Sequence, residues 1–167
     1  MDMLVPLYNL DGVSERIDRV GKHGITVRLA MAYERDVILD WVRRSFDKDG
    51  SCWAGECEVA LSRVPASCHI ATRDGELLGF ACFDATAKGM FGPTGTDEKA
   101  RGLGVGAAML VASLAAMRDA GYAYAVIGGV GAHVKGFYQK VVAAVEIADS
   151  EPGIYRDRIG PGRPDPT

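Results

Sequence analysis

A glycine-rich stretch near the middle of the chain constrains the fold more than any other feature. It has the sequence RGLGVGAAML from Arg101 to Leu110, and it lies between a strand-like segment and an alanine-rich helix. The first turn of a helix has backbone N–H groups without partners inside the helix, and the helix dipole adds partial positive charge there. Glycines at 102, 104 and 106 allow a ligand to approach the backbone closely. The stretch therefore predicts an anion site at a helix start, suited to a phosphate.

Composition and charge restrict the class of protein. The chain has 167 residues, of which 48% are hydrophobic and 25% charged, and this predicts one globular domain over residues 1–159 with a flexible Pro/Gly-rich tail at 160–167. A net charge of −3 without a long basic run argues against a nucleic-acid partner. No apolar run reaches the roughly 18 residues of a membrane span. We expect no membrane partner and, without a leader pattern, a cytoplasmic location.

The four cysteines are Cys52, Cys57, Cys68 and Cys82. They lack C-x-x-C spacing and a nearby pair of histidines, so the sequence predicts no metal site. We expect buried free thiols.

Hydrophobic periodicity and turn residues predict the order of the elements. Asp74-Gly75 favours a tight hairpin turn, so the strands on either side of it are antiparallel. The apolar segment at 122–130 is typical of a buried strand. The predicted helices cover 11–21, 34–46, 53–64, 103–120 and 134–142. The predicted strands cover 25–33, 68–73, 76–85, 90–96, 122–130 and 145–148, and a turn is expected at 47–51.

This order, together with the glycine motif and Phe137-Tyr138 in a short later helix, resembles the GNAT superfamily of N-acetyltransferases. The resemblance implies an α/β (α+β) fold with a mixed, mostly antiparallel central sheet flanked by helices. A dinucleotide-binding fold would instead need G-x-G-x-x-G at its first strand-to-helix turn, and a triphosphate loop would need Gly-Lys-Ser/Thr. Neither pattern is present in the glycine-rich stretch.

The family pattern Q/R-x-x-G-x-G/A falls on Arg101, Gly104 and Gly106. The resemblance implies that this segment binds the pyrophosphate and pantetheine of acetyl-coenzyme A (acetyl-CoA), and that the preceding strand offers its edge to the pantetheine arm. The implied cofactor-binding residues are Thr94, Gly95, Thr96, Arg101, Gly102, Leu103, Gly104, Val105, Gly106 and Ala107.

The resemblance also places a general acid on Tyr138, with Tyr155 as a weaker substitute. Many family members carry a carboxylate on the strand before the motif, but residues 90–96 contain neither Asp nor Glu. Asp84 and His133 are the candidate bases, and deprotonation through water is equally open. The other candidates are Glu146 and Glu151, while His69 and His23 are less favoured.

The expected function is direct transfer of an acetyl group from acetyl-CoA to the primary amine of an unidentified small molecule or peptide. The acceptor is expected near 127–132 and 150–156. The alternative is a non-catalytic acyl-CoA sensor of the same fold, and a longer acyl donor also stays open. Family members often pair through their C-terminal strands, so the resemblance further implies a homodimer.

Overall fold

The chain folds around one seven-stranded sheet, as seen in a computed structural model that describes residues 1–47 and 51–159. The strands are β1 (Met3–Pro6), β2 (Thr26–Leu29), β3 (Cys68–Arg73), β4 (Glu76–Phe83), β5 (Met90–Thr96), β6 (Tyr124–Ile127) and β7 (Val145–Glu146). The helices are α1 (Val13–Gly21), α2 (Arg35–Phe46), α3 (Trp53–Leu61), α4 (Val105–Asp119) and α5 (Lys135–Val142). Most of the predicted turn at 47–51 and all of the predicted tail at 160–167 lie outside the described residues.

The sheet has the order β2-β3-β4-β5-β6-β1-β7, and all its pairs are antiparallel except β5 with β6. The predicted fold class is confirmed. Helices α1, α4 and α5 pack on one face of the sheet through one hydrophobic cluster, and α2 and α3 pack on the other face through a second cluster. Because α4 is covered on nearly all sides, its sequence is apolar around its circumference.

The predicted strands at 76–85 and 145–148 each end two residues early, at Phe83 and Glu146, and three other strands differ more from the sequence-based expectation. The sequence pattern missed β1, which is only four residues long and ends at Pro6, and which joins the sheet beside β6. The predicted strand at 25–33 ends at Leu29, because Ala32–Glu34 forms a 3-10 turn. The Glu34 carboxylate holds that turn by accepting from the Met31 N–H at 2.8 Å and from Arg28. The predicted strand at 122–130 is shorter, since its glycines leave the sheet after Ile127.

The parallel pair at the centre of the sheet opens after two residues. Met90 is opposite Val126 and Phe91 is opposite Ile127, and beyond them the strands diverge. On its other side, β5 stays paired with β4 up to Thr96, with a bulge between the pairs at Ala81 and Phe83. We call the opening between β5 and β6 the split. None of the described helices is both long and apolar enough to cross a membrane.

Candidate active site

The glycine-rich stretch forms the start of α4, as the sequence predicts. Gly102 and Gly104 have φ values of 81° and 87°, in the left-handed region that favours glycine. Gly104 is the N-cap of α4 and offers no side chain to cap it. Within the described residues, the N–H groups of Val105, Gly106 and Ala107 donate to no backbone or side-chain acceptor. Three donors at a positive helix end therefore remain for an anionic ligand.

Gly106 keeps a narrow gap open beside this helix start. A methyl group at this position would lie 3.4 Å from Thr96 Oγ1 and 3.8 Å from Phe137 Cζ. The first turn of α4 thus faces both the end of β5 and the start of α5. A side chain larger than a methyl group would fill this gap.

The other predicted cofactor residues have different surroundings. Arg101 is exposed and forms an ion pair of 3.6 Å with Glu98, so its guanidinium is in solvent near the helix start. Thr94 donates its hydroxyl proton to the Phe80 carbonyl at 3.0 Å. Gly95 faces the opposite side of the sheet, where a methyl group would lie 2.5 Å from the Phe46 ring. Gly95 therefore contributes only its backbone to the split.

A cavity of about 440 Å³ occupies the split. Its walls come from β5, from the loop after β6, and from residues of α3, α5 and the last 3-10 turn. The lining residues are Ser51, Trp53, Glu56, Thr86, Phe91, Gly92, Pro93, Thr94, Ile127, Gly128, Gly129, Val130, Gly131, His133, Val134, Tyr138, Tyr155 and Arg158. The size is that of a small-molecule site.

Tyr138 lines this cavity from α5 and is buried. Burial raises the pKa of its phenol to about 12. No hydrogen bond joins its hydroxyl to any residue in the described part of the chain. A phenol this weakly acidic stays protonated at neutral pH, so it acts as a hydrogen-bond donor to developing negative charge more readily than as a complete proton donor.

Glu56 is the acidic residue among the described residues that line the cavity, although the sequence pattern did not indicate it. It lies on α3, partly buried, and accepts a hydrogen bond of 2.5 Å from Thr86 Oγ1. Tyr155 also lines the cavity. The pKa of its phenol is raised mainly by burial and further by the negative charges of Glu56 and Asp2. The sequence carried one weak signal for Glu56, because this charged residue lies between the buried Ala54 and Cys57 in the first turn of a helix.

The two candidate bases from the sequence lie in different places. His133 lines the cavity and is exposed. Asp84 does not line it; its carboxylate accepts from the Gly89 N–H at 2.7 Å and from the Tyr122 hydroxyl at 3.0 Å, and so holds the turn between β4 and β5. The structure therefore brings His133 together with Tyr138 and leaves Asp84 apart from both.

A buried carboxylate at the N-terminal end of β1 fixes the loop after β6. Asp2 accepts a hydrogen bond of 2.9 Å from the Gly129 N–H, and its own N–H donates to Ser150 Oγ at 2.7 Å. The turn that carries Tyr155 is thereby held near Gly128, where an added methyl group would lie 2.7 Å from the Tyr155 hydroxyl. A side chain at 128 would have to displace the ends of the Met90 and Tyr155 side chains, which occupy its space.

Comparison with known proteins agrees with this geometry of a mixed α/β fold whose central sheet opens between β5 and β6. The sequence profile described as "Acetyltransferase (GNAT) family" matches residues 30–142. The chain belongs to this family, whose members are generally acetyltransferases, and the resemblance inferred from the motif is confirmed. No curated protein matches it significantly in sequence.

Several solved structures share the fold at low sequence identity. One is a fungal multi-domain β-N-acetylglucosaminidase with a GCN5-related glucosamine N-acetyltransferase region (TM-score 0.67, 13% identity, 84% of this chain and 19% of that one). A Drosophila protein has a TM-score of 0.57 and 12% identity, and the match covers 87% of this chain and 46% of that one. The C-terminal domain of a putative lysylphosphatidylglycerol synthetase from Agrobacterium fabrum has a TM-score of 0.50 and 16% identity, and the match covers 76% of this chain and 46% of that one. The chain spans less than half the length of each.

Proposed function

We propose that this protein transfers an acetyl group from acetyl-CoA to a primary amine in a direct ternary complex. The observation that carries the proposal is the cavity in the split, which is lined by the Glu56 carboxylate and by the Tyr138 phenol, whose hydroxyl has no hydrogen-bond partner among the described residues. The three donors of α4 and the gap at Gly106 suit the pyrophosphate and the arm of the cofactor. Bound acetyl-CoA supplies the thioester carbonyl that the amine attacks.

Glu56 holds the amine and takes its proton. An ammonium group entering the cavity meets this carboxylate, which stays fixed through its bond from Thr86. The ammonium group first passes one proton to Glu56, directly or through water, because only the neutral nitrogen can attack the acetyl carbon. The proton that the nitrogen loses after the C–N bond has formed passes to His133 or to water, and coenzyme A leaves as the thiolate. His133 is a second acceptor on the same cavity wall. Glu56 thus takes the role that a carboxylate on β5 has in many family members.

Tyr138 donates a hydrogen bond to the departing sulfur. The C–S bond breaks as the C–N bond forms, and negative charge develops on the sulfur. The Tyr138 hydroxyl has no competing partner among the described residues, so its proton is available to that charge. Because its pKa is near 12, the phenol stabilises the thiolate without fully protonating it.

The cavity favours a cationic amine attached to an apolar group. Trp53 and Tyr155 offer aromatic surface beside Glu56, and Phe91 and Val130 form the buried floor. An ammonium group would pair with Glu56 while its apolar neighbour packs on the rings.

The test is release of free coenzyme A thiol by the purified protein with a panel of primary amines and their neutral or tertiary counterparts. We expect steady release with at least one cationic primary amine. Glu56→Gln should raise the KM for that amine by about 10- to 100-fold, or roughly 1.4–2.7 kcal/mol. Glu58→Gln is the matched control: Glu58 lies on the same helix as Glu56 but does not line the cavity, and it pairs with Arg35 on α2, so its replacement should leave the KM unchanged.

Two results would contradict the proposal. Binding of acetyl-CoA without release above background for any amine would favour the acyl-CoA sensor, for which the carboxylate-free β5 is the main support. Failure to bind acetyl-CoA would exclude both functions. The implied homodimer remains a separate proposal, to be tested by light scattering of the same sample.

A further inference from the structure

Three cysteines that are far apart in sequence meet in the interior of the protein. Cys57 lies on α3, Cys68 on β3 and Cys82 on β4, and all three have 0% exposure. Their sulfur atoms lie within 4.8 Å of one another. We call these residues the thiol cluster. It belongs to the hydrophobic layer under α2 and α3 and lines no part of the cavity described above.

The sheet and the helix fix these positions. Cys68 and Cys82 are direct partners across the antiparallel pair of β3 and β4, so both side chains point to the same face. Cys57 covers them from α3. With bonds of about 2.3 Å to sulfur, three sulfurs in one plane around an ion lie about 4 Å apart, and three sulfurs around a pyramidal ion such as As(III) lie somewhat closer together. The thiol cluster is therefore close to the required spacing, on three rigid elements.

The surroundings limit which ion could be bound. The second hydrophobic cluster packs apolar side chains against the thiol cluster, including Leu61, Ile70 and Phe80, and the grouped ligands contain no carboxylate or imidazole. A structural zinc ion needs four ligands, and three thiolates would leave it with a net negative charge in an apolar interior. A trivalent ion with three thiolates is neutral and needs no fourth ligand.

We propose that Cys57, Cys68 and Cys82 form a three-sulfur site for a soft, thiophilic trivalent ion, for which arsenite is the probe. Three As–OH bonds break and three As–S bonds form, and each hydroxide leaves as water with one thiol proton. No oxidant or reductant is needed, and the product is neutral. Because the thiol cluster is fully buried, binding requires α3 to move away from the sheet transiently, so it should be slow.

The experiment uses the whole chain with a reductant that contains no thiol. After prolonged incubation with arsenite, native mass spectrometry should show one adduct with the mass of arsenic less three hydrogen atoms. Cys52→Ser is the matched control: Cys52 is exposed and lies outside the thiol cluster, so its replacement should leave the adduct unchanged. Cys57→Ala, Cys68→Ala and Cys82→Ala should each abolish the three-hydrogen adduct, with folding verified by thermal unfolding.

The wild-type and Cys52→Ser measurements decide the proposal even if a thiol-cluster variant does not fold. It would be overturned by the absence of an adduct at saturating arsenite, by loss of only two hydrogen atoms, or by loss of the adduct in Cys52→Ser. Zinc competing with arsenite at equal concentration would also overturn the three-coordinate assignment, since the thiol cluster supplies three ligands among the described residues.

Discussion

The two sides of the split between β5 and β6 are built from different parts of the chain. The α4 side is one continuous segment, residues 101–107, and it offers backbone N–H groups. The cavity side is assembled from side chains that are distant in sequence, such as Glu56, Tyr138 and Tyr155. A backbone site depends on a few glycines and tolerates other changes, whereas a side-chain site can change its specificity one residue at a time. We therefore expect the donor to be fixed by the first side and the acceptor by the second.

The largest effect should come from Tyr138→Phe, which tests the cavity side. Losing one preorganised donor to developing charge costs about 10²- to 10³-fold in kcat, while the affinity for acetyl-CoA should stay unchanged. Steady-state thiol release and calorimetric titration with acetyl-CoA measure the two quantities. Tyr124→Phe is the control, because that hydroxyl is exposed and lies near Tyr8, outside the cavity.

The pH profile gives a second test of Tyr138. With a pKa of about 12, the phenol stays protonated through the working range, so no fall in kcat below about pH 11 belongs to it. Wild type and Tyr138→Phe should have profiles of the same shape at different heights. A basic limb that is present in wild type and missing in Tyr138→Phe would assign full proton donation to this residue.

Gly106→Leu tests the α4 side, with a slightly smaller effect. The side chain would fill the gap between Thr96 and Phe137, so we expect about 100-fold weaker binding of acetyl-CoA, or about 2.7 kcal/mol. Calorimetry measures the Kd. Gly55→Ala is the matched control, because a methyl group there meets nothing within 4 Å. If Gly106→Leu lowered kcat but kept the Kd, the gap would serve the acceptor, and the division between the two sides would fail.

The same contrast explains how much the sequence could predict. The α4 side depends on local rules, since helix starts and positive φ at Gly102 and Gly104 follow from neighbouring residues. Glu56 was missed because its position in the cavity depends on the packing of α3 against β5, which is a tertiary contact. The thiol cluster was missed for the same reason, as strand pairing brings Cys68 and Cys82 together. The strand β1 was missed because four residues carry too little periodicity to be recognised.

The smallest of these effects concerns the attachment of α4 to the sheet. His69 on β3 is buried, and its Nδ1 lies 3.0 Å from Ser113 Oγ on α4. Burial lowers the pKa of His69 to about 4. In the unfolded chain the ordinary value is about 6.5, so between these values the unfolded state binds a proton that the folded state does not. The stability contribution is complete above pH 6.5 and is lost as the pH falls toward 4.

Between pH 7 and pH 5, this linkage should lower the free energy of unfolding by about 2 kcal/mol. Urea unfolding of wild type and of His69→Gln at both pH values measures the change in the free energy of unfolding between pH 7 and pH 5. This change should be smaller in the variant by about 2 kcal/mol. His23→Gln, at an exposed position, should keep the wild-type dependence. An unchanged dependence in His69→Gln would mean that this histidine is not held neutral beneath α4. The acid sensitivity would then have to come from another part of the fold.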